Sequence, residues 1–347
     1  MSNKDESPQL IDIREDDLLA LSAEVLDTLL RDHTTGKHIF WATHDYEALG
    51  PEYDYHSEIL PHLITGEHGM VVRPRVLKSK EQQTDRAKDM AEVFTPSWVC
   101  NAQNNLVDEA WFGRKNVFNT EHTETAEGTE KHAWLSNPDK IVFPEGKTWK
   151  DYVRATRMEM TCGEAPYLVS RYDATTGEPI PLEQRIGLMD RKLRVISENV
   201  DVSGEWLEWA QVAYKNIYGF EWQGDNLLLA REALLWTFIE YYQAKFQKAP
   251  LTKSINYIAY IISWNFWQMD GLKGVVPDTC HDVVSKNKET PQLDFFSTDV
   301  PEKKEPKVTP CPGCAADNIY KHNGTYCLIR DWANDKKKIR FIDLIKS

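Results

Sequence analysis

Residues 159–168 read Glu159-Met160-Thr161-Cys162-Gly163-Glu164-Ala165-Pro166-Tyr167-Leu168, and their reading decides the fold. A strand ends near Thr161, closes on an acidic residue and turns at a glycine before a helix. Gly163 has no side chain, so a small cofactor can approach the turn closely. The same chemistry recurs downstream at Ile217-Tyr218-Gly219-Phe220-Glu221-Trp222, a strand that also ends in a carboxylate. A carboxylate there suits the two hydroxyls of a ribose, and the adjoining Trp222 suits the flat face of a purine. Upstream, Phe94-Thr95-Pro96 opens a helix that should run to about Ala110, with Thr95 as its N-cap and Pro96 at the first helical position. Each segment has an ordinary alternative: a capped helix start, a tight turn, a solvated charge at a strand end.

Periodicity places the remaining elements. Leu18, Leu21, Val25 and Leu29 make an early helical stripe. His38 to Ala42 and Met70 to Arg73 read as short strands. Residues 114–148 read as a surface excursion. Helices are expected at 149–156, 182–198, 204–214, 225–246 and 251–269, the last containing Ser263-Trp264-Asn265-Phe266. A hairpin is expected around Asn323-Gly324. Three regions follow: a mainly helical segment at 1–90, a cofactor domain at 91–299, and a linker with a Cys-containing hairpin tail at 300–347.

Taken in order, the three segments resemble the gamma-ordered DNA adenine amino-methyltransferases of restriction–modification systems. Those proteins combine a Phe-Thr-Pro helix start, an Asp-Pro-x-Cys-Gly-x-Gly-x-Phe-Leu turn and a Gly-x-Glu at the second strand. Glu159, Cys162, Gly163, Tyr167 and Leu168 sit where that turn has Asp, Cys, Gly, Phe and Leu, while Met160 replaces its Pro and Ala165 its second Gly. The wider wording Glu92-Val-Phe-Thr-Pro-Ser-Trp-Val-Cys-Asn is similar to bacterial proteins called restriction endonuclease subunit M. The resemblance covers most of residues 20–347. It implies an α/β, Rossmann-like S-adenosylmethionine-dependent methyltransferase fold with a helical N-terminal segment. It implies S-adenosylmethionine as cofactor, with Phe94, Thr95 and Pro96 at its methionine end, Glu159, Cys162, Gly163 and Tyr167 along its body, and Glu221 and Trp222 at ribose and purine. The implied partner is DNA, whose flipped-out adenine would accept the methyl group.

The family also needs an Asp-Pro-Pro-Tyr or Asn-Pro-Pro-Tyr type loop to present that adenine, and no Pro-Pro pair occurs in these 347 residues. Asn265 is the nearest stand-in, with a core role as the alternative. The chain is therefore expected to be inactive alone, with a second subunit supplying the catalytic motif and target recognition. A noncatalytic partner in a restriction or phage-defence system is the other reading. The spacing from Glu159 to Glu221 is 62 residues, against roughly 20 in a dinucleotide-binding unit, so 171–205 reads largely as an insertion. Its cluster Arg185, Asp190-Arg-Lys-Leu-Arg suits either a phosphate or a solvated, ion-paired helix face. No G-x-G-x-x-G run is present to support a nicotinamide-dependent oxidoreductase.

Composition sets the outer bounds. Apolar residues make up 41% and charged residues 27%, as in globular proteins. The net charge of -13 argues against broad adhesion to nucleic acid. Residues 301–347, however, carry a net +4, so any DNA contact would be local. The longest largely apolar run, Tyr257 to Trp264, is too short to cross a bilayer, and the first residues show no apolar leader. A cytoplasmic protein without a membrane partner is expected. Six cysteines in such a chain read as thiols or metal ligands. Cys311, Cys314, His322 and Cys327 have a C-x2-C-x7-H-x4-C spacing that suits zinc, with Cys280 and His281 as spare ligands; a plain reduced turn is the alternative.

Overall fold

Helix α1 (Glu15–Leu21) and helix α2 (Ala23–Leu30) open a computed structural model that describes residues 11, 13–89, 95–126, 129–285, 307–334 and 337–345. Both place their leucine stripe inward, and Leu18, Val25, Leu26 and Leu29 are fully buried. Irregular chain follows. The strand expected at 38–42 is reduced to isolated bridges, Arg31 to His38 and Phe40 to Glu58, and residues 70–73 form a turn and bends, not a strand. The polar stretch after Lys78 forms α3 (Lys80–Asp89).

The Phe-Thr-Pro helix is α4 (Ser97–Phe112), closed by Gly113 at φ 70°. It starts one residue later than its capping pattern suggests. Pro96 occupies the N-cap, and the Ser97 N–H is taken by the Asp173 carboxylate at 2.7 Å. The expected surface excursion instead contains an antiparallel hairpin, β1 (Asn119–Ala126) and β2 (Thr129–Ser136). Its alternation is polar on both faces, which is why periodicity misses it.

The centre of the molecule is a parallel sheet, making this an α/β fold. After α5 (Trp149–Arg154) comes β3 (Arg157–Met160); then α6 (Leu188–Asn199), α7 (Ser203–Tyr214) and β4 (Ile217–Glu221); then α8 (Gly224–Phe246), α9 (Thr252–Asn265) and β5 (Phe266–Gln268). The order is β3-β4-β5, with Glu159 opposite Gly219 and Glu221 opposite Gln268. The expected helix 251–269 thus breaks at Asn265, where the chain turns extended. The stretch read as an insertion holds the crossover helices α6 and α7. The basic cluster is ion-paired, and largely buried instead of solvated. Arg185 pairs with Glu240 at 2.6 Å and Arg191 with Asp108 at 2.6 Å, all but Glu240 almost fully buried.

Gly219 is required by its sheet neighbour. A Cβ there would lie 2.5 Å from the Phe266 ring. Helix α8 is buried nearly all round, as a central helix must be. One core joins Ile13, Trp41 and Tyr53 from the N-terminal segment to α6, α8 and α9. A second joins Phe220, Trp267 and Met269 to Cys327 and Ile329 of the tail. The tail contains β6 (Val283–Ser285) paired with β7 (Lys307–Thr309), then α10 (Pro312–Ala316), and β8 (Leu328–Arg330) paired with β9 (Lys338–Arg340). The hairpin expected at Asn323-Gly324 therefore forms further on. Among the described residues no helix is long and apolar enough to cross a membrane.

Arg231, in the middle of α8, is fully buried. Its guanidinium donates to the carbonyls of Leu29 and Arg31 at the end of α2, and to those of Ser263 and Phe266 where α9 becomes β5. Those carbonyls have no intrahelical partner, and each costs about 1–3 kcal/mol if left buried and unpaired. Arg231→Met should therefore lower the unfolding free energy by more than about 3 kcal/mol in urea titrations. A loss below about 1 kcal/mol would mean that other donors reach these carbonyls.

Candidate site at the carboxyl edge of the parallel sheet

Glu159 and Glu221 leave neighbouring parallel strands two positions apart in register, so period-two alternation puts both carboxylates on one face of the sheet. Between them lies the turn after β3, where Thr161, Gly163 and Ala165 all have positive φ, at 48°, 51° and 60°. A backbone N–H at such a turn can be offered to an anion. Here the anion is part of the protein. The Gly163 N–H donates to Glu221 Oε2 at 2.8 Å, while Glu221 Oε1 accepts from the N–H groups of Trp222 and Gln223 at 2.9 and 3.4 Å.

The two carboxylates differ in their partners. Glu221 accepts three amides, although burial still raises its pKa. Glu159 Oε1 accepts from the Tyr167 N–H at 3.3 Å, with the Leu168 N–H as a further backbone donor to the carboxylate, and its buried Oε2 has no partner among the described residues. Burial, with the Glu221 charge adding to it, pushes Glu159 up to about 8 despite the amides of Tyr167 and Leu168. It is largely a neutral acid at pH 7.

The Phe-Thr-Pro segment meets this turn. The Thr95 side chain hydrogen-bonds the Tyr167 phenol, and the Cys100 thiol donates to the Thr95 carbonyl at 3.7 Å. Pro96 borders a cleft of about 540 Å³ that also touches Trp98, His132, Trp134 and Asp173. Phe94 lies outside the described residues. Trp222 is half-buried, with its indole N–H on the Tyr55 hydroxyl at 3.0 Å. The structure thus gathers Thr95, Glu159, Cys162, Gly163, Tyr167, Glu221 and Trp222 at one edge, with Pro96 on its border. Cys162 packs inward, fully buried, its Sγ 3.3 Å from where a Gly219 Cβ would stand.

Asn265 is not part of this edge. It precedes β5 and so lies at the opposite end of the sheet. Its amide donates to the carbonyls of Tyr214 and Ile217 at 2.9 and 3.0 Å, and its oxygen accepts from the Trp332 indole at 2.8 Å. With those groups committed it is a core residue, not an acceptor for an adenine amino group.

One feature of the site is absent from the sequence reading. Asp225, in the first turn of α8, is fully buried and held by Lys78 at 3.0 Å, Arg86 at 3.0 Å and the Tyr46 hydroxyl at 2.8 Å. Burial opposes its ionisation, but Arg86 and Lys78 outweigh that and hold the carboxyl well below the usual range. The network bolts α3, just before the Phe-Thr-Pro segment, to the helix that follows β4. Only the charged character of 78–89 signals it in the sequence.

No protein-family model, curated protein or solved structure matches this chain.

The cysteines regroup in the structure. Cys280, Cys311, Cys314 and His322 converge, with their ligand atoms all within 4.8 Å of one another. Cys327 is excluded. It is fully buried in the second core, its thiol donating to the Gln268 carbonyl at 3.4 Å. His281 is also outside the group and hydrogen-bonds near Asn323.

The raised Glu159 pKa has a definite consequence for stability. The folded state keeps the proton to about pH 8, whereas an unfolded Glu releases it near pH 4.3. Between those values the folded state binds more protons, so this contribution is full at low pH and is lost as pH rises to about 8. Glu159→Gln should gain stability relative to the wild type across this interval, by up to about 1.4 kcal/mol per pH unit. Unfolding curves at several pH values measure that difference; parallel profiles would mean that Glu159 is ionised in the fold.

Proposed function

We propose that the chain is the cofactor-binding part of an S-adenosylmethionine-dependent DNA adenine methyltransferase. The observation that carries this is the Gly163–Glu221 contact. It links the turn after one parallel strand to the carboxylate ending the next, where doubly wound folds bind nucleotide cofactors. Three consecutive strands lying side by side, with helices in each crossover, match the first half of that topology.

The residues present fit the group. A carboxylate has about four acceptor positions, and Glu221 uses three on amides. One position on Oε2 remains for a ribose hydroxyl, and exchange of the Gly163 N–H would free a second. Glu159, protonated and unpartnered at Oε2, is available to donate along the cofactor body. Trp222 would lie against the purine, and Thr95 and Pro96 would border the methionine end. S-adenosylmethionine supplies the methyl group. The chain binds and orients it through these residues.

The noncatalytic alternative is favoured by one specific observation, the commitment of Asn265 to the core. With no Pro-Pro pair in these residues, the adenine-presenting loop would come from chain beyond them, in the same or a second subunit. Calorimetric titration with S-adenosylmethionine should show binding, and Glu221→Gln should weaken it by about 1.5–3 kcal/mol without comparable loss in thermal stability. Methyl incorporation into duplex DNA should be absent for this chain alone. Binding of NAD instead, or affinity unchanged in Glu221→Gln, would place the cofactor elsewhere.

A further inference from the structure

The three thiols of Cys280, Cys311 and Cys314 each lie 3.6 Å from one atom, His322 Nδ1. An imidazole nitrogen carries either one hydrogen or one lone pair, so it can take part in one such hydrogen bond, not three. Three equal separations describe something else. In a tetrahedral zinc site with Zn–S about 2.3 Å and Zn–N about 2.0–2.1 Å, each sulfur-to-nitrogen edge is about 3.6 Å. The spacing is that of four ligands set around one tetrahedral centre.

The surrounding backbone is shaped to the same end. A Cβ on Gly313, between Cys311 and Cys314, would lie 2.6 Å from His322 Nδ1 and 2.5 Å from its backbone nitrogen. A Cβ on Gly324 would come within 3.1 Å of the Cys280 sulfur. Both positions therefore admit only glycine if the four side chains are to converge. The Asn323 N–H donates to Cys311 Sγ at 3.2 Å, the kind of amide contact that stabilises a metal-bound thiolate.

We infer that Cys280, Cys311, Cys314 and His322 bind one zinc ion in a closed, structural site. Four protein ligands fill the tetrahedron and leave no open position for a substrate. The ion joins the chain after β5 to a tail segment on the far side of residues 286–306, beside the strands β6 and β7. It thereby holds the tail where Cys327, Ile329 and Phe341 pack on Phe220 and Trp267. Cys327 serves that packing and is no ligand.

Elemental analysis of untagged protein prepared without chelator should find about one zinc per chain. Cys280→Ser should lose the metal and Cys327→Ser should keep it. A metal-free but folded wild type, iron in place of zinc, or zinc retained by Cys280→Ser would each overturn the assignment. Should Cys280→Ser fail to fold, the wild type still decides. Cys314 is solvent-exposed, so a free thiol there would alkylate readily. Mass spectrometry should show it protected in the native protein and modified once a strong chelator is added. Equal modification with and without the chelator would refute a bound ion.

Discussion

A single guanidinium holds the layers of this molecule together. Arg231 projects from α8 into a space where two helices end, and helix ends expose carbonyls that nothing in their own helix can satisfy. By donating to α2 on one side and to the α9–β5 junction on the other, it ties both to α8 and satisfies those carbonyls. The position of β5 beside β4 follows, and with it the alignment of Glu221 with Gln268. Gly219 makes that alignment tolerable, because the Phe266 ring occupies the space a side chain would need.

The carboxyl edge built on this frame holds three acidic groups in three different states. Asp225 is ionised beside Arg86 and Lys78. Glu221 is held by amides, with no cation to balance it in the contacts the structure gives. Glu159 is close to neutral because burial outweighs the amides of Tyr167 and Leu168. Glu159 Oε2 is buried without a partner among the described residues, an arrangement that costs free energy.

The tail repeats the theme in sulfur chemistry. Cys327 is nearer Cys311 and Cys314 along the chain than Cys280 is, yet Cys327 is sealed in an apolar core while Cys280 faces the His322 nitrogen. Residue type does not separate them. Their surroundings do, through the glycines that let backbone close on one and the aromatic side chains that enclose the other.

The sequence by itself determined the local pieces: the helix after Pro96, the strand–turn at Glu159 to Pro166, the strand ending at Glu221 and the long apolar helix after it. These follow from side-chain period, turn chemistry and helix-start signals, which act over a few residues. It also marked Glu159, Gly163 and Glu221 as a group, and the structure brings them together. Tertiary structure alone decided the rest. The helix through Ser263–Met269 gives way to a strand because Phe266–Gln268 pair with β4, which no local period encodes. Asn265 is consumed by backbone carbonyls from 48 and 51 residues away, and Arg86 is drawn inward by Asp225, 139 residues on. Cys280, not Cys327, joins Cys311, Cys314 and His322 because the fold brings it in from across residues 286–306, whereas linear spacing favours the nearer cysteine. Contacts so distant in the chain depend on how elements pack, and packing is a property of the assembled fold.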